Sequence, residues 1–233
     1  MVQHGDGTAT ASVLNRSQMI AGNSTVQRVS FAIPNLPGGA FTAVLPADND
    51  GQWAPVGAPN YMVYFSDDAW GDDPVDRLKI WEFDVNWVWT WFSSLTLVQN
   101  LDTDAFNSAF GSHNQGIIPQ PGTANKLAVM EKALMYRLQY RNFGTYESMV
   151  CCHTVDVNNA NRAGIRWYEL RKTTGDWFIY QQGTYAPGDT DNFWMASIAQ
   201  NGSGDIALGY SVSSSSTHPS IRYTGRMAGD PLG

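Results

Sequence analysis

The amino-acid sequence predicts an all-β chain, and three observations carry that reading. Apolar residues gather in short runs rich in Val, Ile, Tyr, Phe and Trp. Clusters of Gly, Asn, Asp, Pro or Ser interrupt these runs about every 8–15 residues, which is strand punctuation. Helical periodicity is confined to short pieces near 101–110 and 126–133, where Leu101, Ala105 and Phe106 share one face. In chain order, strands are expected at 26–33, 40–45, 60–66, 77–86, 92–98, 134–141, 146–157, 163–171, 176–182, 193–199, 205–213 and 219–225.

The four strands from 134 to 182 follow one another through short polar connections, as in a four-stranded antiparallel meander, and those at 193–199, 205–213 and 219–225 begin another. Meanders of about 45–60 residues are the units of a β-propeller, and 233 residues hold three to four of them. The expected fold is therefore a single β-propeller-like domain over residues 1–233, with three to four four-stranded antiparallel blades. It would be either closed as a small propeller or part of a larger one, with a sandwich as the alternative. Uncovered terminal blades would drive association with a second copy of the chain.

Composition narrows the function classes. Fourteen Lys and Arg against 21 Asp and Glu leave a net charge of -7, which repels phosphate backbones and argues against nucleic acid. No apolar stretch reaches the roughly 20 residues that span a bilayer, so membrane insertion is not expected. Cys151 and Cys152 are adjacent, so they cannot staple distant segments. In an extended strand they point to opposite faces, one thiol buried, with a strained vicinal disulfide as the sharper alternative. A transition-metal site would need His4, His113, His153 or His218 to converge with them, and neither HExxH nor CxxC spacing is present.

The strings AGIRWYELR at 163–171, YQQGTYAP at 180–187, WMASIA at 194–199 and GDIALGYSVSSSSTHPSIRYTGRMAGDPL at 204–232 carry a family likeness. Together with VLPADNDGQWAPVGAP at 44–59, IIPQPG at 117–122 and LMYRLQYRNFGT at 134–145, they resemble a large family of uncharacterised secreted bacterial proteins. The resemblance implies an extracellular location and a β-propeller-like fold, and brings no assigned activity. Members of that family are longer, so the chain reads as an internal piece. Where relatives tend to carry HRWM, this chain has Asn192-Phe193-Trp194-Met195, which removes any His-Arg chemistry at that turn.

Arginine outnumbers lysine ten to four, and Arg137, Arg141, Arg166, Arg171, Arg222 and Arg226 crowd into ninety residues. Planar, bidentate recognition favours arginine. One reading has Arg137, Arg141, Arg166 and Arg222 lining a cleft with Tyr210 and Tyr223, around a carboxylate pair drawn from Glu169, Asp156 and Glu147. The set is similar in residue type to sialidases, although no full SxDxGxxW box occurs around Asp48–Trp53. The plainer reading is that these charges pair between strands, because an unpaired buried charge is costly. No GxSxG motif supports nucleophilic hydrolysis. Asp48 and Asp50 in the turn DNDG could ligate calcium, while Asp67, Asp68, Asp72 and Asp73 read as a solvated loop. No other cofactor is expected. Trp87, Trp89 and Trp91, at i, i+2 and i+4, would line one face of a strand, expected as a buried inter-blade core, with an exposed row that stacks on sugar rings or a partner surface as the alternative.

The functional expectation is an extracellular carbohydrate-active protein. One form is a glycoside hydrolase with a carboxylate pair in a cleft; the others are a non-catalytic glycan-binding or adhesion module and a structural segment of a larger propeller. A hydrolase should show the carboxylate pair, whereas a binding module should expose the Trp row without one.

Overall fold

A computed structural model describes residues 2–3, 9–33, 44–71, 73–111, 116–188 and 190–233. Their strands follow one another as four antiparallel meanders. The first is β1 (Val2–Gln3), β2 (Ala9–Leu14) and β3 (Arg28–Ile33), with a five-residue helix, α1 (Arg16–Ile20), between the last two. The second is β4 (Leu45–Gly51), β5 (Asn60–Ser66), β6 (Arg77–Asp84) and β7 (Ser94–Asp102). A small hairpin, β8 (Ile118–Gln120) and β9 (Thr123–Leu127), precedes the third, which is β10 (Leu138–Asn142), β11 (Glu147–Asp156), β12 (Ala163–Lys172) and β13 (Phe178–Tyr185). The last is β14 (Asn192–Gln200), β15 (Ile206–Ser213) and β16 (Ser220–Arg226).

The meander expected over 134–182 is β10–β13, and the group expected from 193 is β14–β16. Two features differ from expectation. First, β4 and β10 each begin a meander, run parallel, and pair Ala47–Gly51 with Leu138–Asn142. That pairing satisfies two otherwise bare strand edges and fuses the middle meanders into one eight-stranded sheet, in place of separate four-stranded units. Second, the helical pieces are not helices: 103–111 is irregular, and 123–127 is β9. The strand expected at 40–45 has residues 40–43 outside the described ones.

The eight-stranded sheet curls so that one face closes on itself. Tyr61, Val63 and Phe65 of β5 and Leu78 and Ile80 of β6 meet Leu138, Met149, Cys151, Tyr168 and Leu170 of the third meander. The outer face of β5 and β6 carries Met62, Tyr64, Trp81 and Phe83 against Ala9, Ala11, Val29 and Ile33 of the first sheet. The outer face of β11 and β12 carries Val150, Cys152 and Ile165 against Phe193, Ile198, Ile206, Leu208 and Val212 of the last sheet. Four layers thus enclose three cores. Strands of the middle layers are buried on both faces, which is why β5 and β11 read as continuous apolar runs without alternation.

This geometry corrects the reading of the cysteines. Cys151 and Cys152 do face opposite ways, but each enters a different core, and both are buried and free. Burial pushes the Cys151 thiol up to about 12, and burial beside Cys151 pushes Cys152 higher still. Thiolate is the reactive form, so neither should react with a thiol reagent near neutral pH in the native chain. Labelling followed by mass spectrometry should give no adduct before unfolding and two after it.

His153 is fully buried in the inner core, its ring stacked on Phe65 at 4.0 Å between centroids and its Nε2 3.1 Å from the Tyr168 hydroxyl. Burial, followed by the charge of Arg166, holds it neutral by lowering its pKa to about 3. An unfolded histidine titrates near ~6.5, so this core contributes its full stability above that pH and loses it as the pH falls toward 3. Between about pH 6.5 and 5 the loss should be roughly 2 kcal/mol. The melting temperature should therefore drop over that interval, and His153→Gln should flatten the dependence.

Candidate functional site

The arginines and carboxylates expected in one cleft occupy separate places. Glu169, on β12, is 1% exposed and already saturated. Its Oε1 accepts from Arg171 Nε at 2.7 Å and Gln200 Nε2 at 3.1 Å, and its Oε2 accepts from Gln181 Nε2 at 2.5 Å. The arginine comes from the same strand, and the neighbouring strands supply amides. Arg171 is held flat between the Tyr146 and Tyr180 rings, at 4.4 and 3.4 Å.

Gln200 extends this network. Its backbone N–H donates to the Gln139 side chain, while its carbonyl accepts from Gln139 Nε2 and from Arg141 Nε, each at 3.1 Å. Gln139 Nε2 also donates to Asp50 Oδ2 at 2.6 Å. Arg137 donates to Asp50 and, at 2.8 Å, to Asp48. DNDG is therefore not a free turn: Asp48 and Asp50 lie two apart on β4, and the negative charge that would draw calcium is answered by Arg137.

The other two carboxylates lie elsewhere. Asp156 accepts from the backbone N–H groups of Asn158 at 3.2 Å and Asn161 at 2.8 Å, so it organises the turn after β11. It lines a groove of about 460 Å³ with Asn107, Asn159 and Thr184, and among the described residues no second carboxylate lines it. Glu147 accepts from the Tyr140 hydroxyl at 2.7 Å. Arg166 is buried, donating to Gln182 Oε1 at 2.5 Å and Thr184 Oγ1 at 3.2 Å, and so cannot reach a substrate. Arg222 pairs with Asp191 at 3.5 Å. Tyr210 is buried with its hydroxyl 3.0 Å from that of Tyr185; burial, then that bond, pushes it up to about 12. Tyr223 is exposed.

The acidic loop is not solvated throughout. Asp67 is buried and accepts from Ser108 N and Oγ at 2.6 and 2.7 Å, and Asp76 accepts from Phe106 N at 2.5 Å. Burial raises the Asp76 pKa; the N–H bonds oppose it and the charges of Asp67 and Asp68 add to it. Asp73 pairs with Lys79 at 2.6 Å and Arg77 at 3.3 Å. These carboxylates anchor the 103–108 segment and the start of β6. Asp72, His4 and His113 lie outside the described residues.

The tryptophans behave differently from a strand row. Asn86 Oδ1 accepts from Val88 N at 3.0 Å and Trp89 N at 2.8 Å, and this side-chain turn ends β6 before the triplet. A 3-10 turn over Thr90–Phe92 follows. Trp87 packs against the first core layer, whereas Trp89, Trp91 and Phe92 project outward at 51%, 69% and 68% exposure. Trp89 and Trp91 lie 5.0 Å apart at 52°, and Trp91 and Phe92 6.0 Å apart at 47°. The result is an open aromatic surface on a loop pinned by Asn86. Phe92 belongs to it, although i, i+2 spacing gave no reason to include it.

A second opening lies where β12 and β13 diverge from β15 and β16. It holds about 330 Å³, with Trp167 and Tyr185 on one side, Ile206 and Leu208 as floor, and Thr224 and Arg226 on the other side. Among the described residues no helix is long and apolar enough to cross a membrane. No family model, no curated protein and no solved structure matches this chain.

Glu169→Gln turns one acceptor oxygen into a donor that faces either Arg171 and Gln200 or Gln181, and leaves Arg171 without its counter-charge. It should cost about 3 kcal/mol in chemical denaturation, as expected when one partner of a buried pair is removed. Unchanged stability would assign the residue to something other than this seam.

Proposed function

We propose that the chain is a carbohydrate-recognition module whose binding surface is the Trp89–Trp91–Phe92 cluster. The observation that carries this reading is the exposure of three aromatic rings on a constrained loop, in a molecule whose candidate catalytic carboxylates are each engaged in separate structural roles. Indole and phenyl faces stack on the C–H faces of sugar rings, and aromatic side chains lose little conformational entropy when they do so. The rings are tilted against each other, so they offer faces in different directions for stacking. With a net charge of -7, a neutral glycan suits the surface better than an anionic one. This favours recognition over hydrolysis.

The same reading places the chain outside the cell. The serial packing of four meanders, each layer on the next, supports a propeller-like arrangement of blades. In it, the outward face of β14–β16, with Ile221 and Tyr223 exposed, is the place for association with a second copy.

Affinity electrophoresis through gels containing neutral polysaccharides tests the reading. The chain should be retarded by at least one of them. Trp89→Ala and Trp91→Ala should each weaken retardation about tenfold, equivalent to about 1.4 kcal/mol, without changing the melting temperature. Free migration in every neutral polysaccharide, or retardation of both variants as strong as that of the unmutated chain, would overturn it.

A further inference from the structure

The opening between the third and fourth meanders carries chemistry that neutral-glycan recognition does not use. Its floor is apolar, with Ile206 and Leu208 both buried, and the Trp167 indole forms a wall. Two glycines are sterically required around it. A Cβ on Gly183 would lie 3.0 Å from Trp167 Nε1, and one on Gly225 would lie 2.9 Å from the Ile206 carbonyl oxygen. A side chain at either position would press on a wall of the cleft.

Two charged groups line the same space. The Arg226 guanidinium stands 5.7 Å from the Trp167 ring centre, and its Nη2 donates to the carbonyl oxygens of Asp230 and Pro231, both at 2.9 Å. Those bonds fix the guanidinium in place. Its Nε and Nη1 have no partner, and no carboxylate reaches ion-pair distance, among the described residues. Asp230 also lines the cleft. Its Oδ2 accepts from Met227 N at 2.8 Å, and among the described residues none donates to its Oδ1.

A cation held by two carbonyl groups and a carboxylate held by one backbone N–H line one cleft with an apolar floor and an indole wall, and they form no ion pair with each other. A neutral sugar would leave both charges unanswered. A simple carboxylic acid would answer one and oppose the other. A free α-amino acid answers both, with its carboxylate on the unused edge of Arg226 and its ammonium on Asp230, while its side chain reaches Ile206, Leu208 and Trp167. About 330 Å³ is at the small end of ligand cavities, which suits one amino acid and not a peptide. We propose that this cleft binds a free α-amino acid with an aromatic or aliphatic side chain.

Calorimetric titration of the full chain with L-phenylalanine, L-phenylalaninamide, N-acetyl-L-phenylalanine and glucose tests the proposal. Phenylalanine should bind, and each blocked derivative should bind at least about tenfold more weakly. Arg226→Gln should abolish the preference for phenylalanine over its amide while keeping that over the N-acetyl derivative; Asp230→Asn should do the converse. Because Arg226 also holds two carbonyl groups, Arg226→Lys serves as the second variant: it keeps the charge and should keep the preference over the amide. Absence of heat with phenylalanine, equal binding of the three amino-acid probes, or binding of glucose in their place would overturn it. Trp89→Ala should leave phenylalanine binding unchanged, so this site and the aromatic loop stand or fall separately.

Discussion

The Glu169 carboxylate lies between β12, β13 and β14, where it accepts from Arg171, Gln181 and Gln200 with almost no contact with solvent. From Gln200 the hydrogen bonds continue to Gln139 on β10 and to Asp50 on β4, where Arg137 closes the chain of charges. One polar seam therefore crosses the third meander, reaches the parallel β4–β10 junction, and holds the last sheet. Buried ionic groups add little net stability compared with well-packed apolar ones, but each donor must meet its acceptor, so they discriminate strongly among registers. A one-residue slip of β14 would take Gln200 away from both Glu169 and Gln139. Removing that seam would therefore loosen the placement of β14–β16, and with it the third core and the cleft beside Trp167.

Layering decides where function can reside. The middle strands are buried on both faces, so their centres offer little to solvent beyond Trp167 at the cleft. Arg166, His153 and Tyr168 are examples: residues of chemical interest by type, yet enclosed between layers. Access is left to loop tips and to the places where sheets diverge. The Asn86 turn is such a tip, because capping by one side chain stops β6 and turns the next aromatics outward. The cleft is such a divergence, kept open by Gly183 and Gly225.

The two openings differ in their electrostatics. The aromatic surface at Trp89 and Trp91 has rings and no charge of its own, which suits weak, sequence-tolerant stacking. At Arg226 and Asp230 opposite charges line one cleft with an apolar floor, which suits a compact ligand with matched charges. Each uses residues from a different meander, so they do not compete for the same scaffold.

Much of the strand layout was legible in the sequence, because β-branched and aromatic runs bounded by turn residues depend on local preference: 60–66 corresponds to β5, and 163–171 lies within β12. The adjacent cysteines' opposite directions follow from the two-residue period of a strand. Three things were decided only by tertiary structure. The stretch DNDG at 48–51 reads as a turn because Asp, Asn and Gly disfavour strands, yet pairing with β10 overrides that preference, makes it the end of β4 and supplies Arg137 to its carboxylates. Trp87, Trp89 and Trp91 have strand spacing, yet Asn86 folds back on their own backbone and separates one half-buried indole from two exposed ones. Glu169, Asp156 and Glu147 are alike in sequence, and only the arrangement of the sheets determines their partners. Spacing along the chain specifies which face a side chain takes, whereas long-range pairing of strands specifies what that face meets.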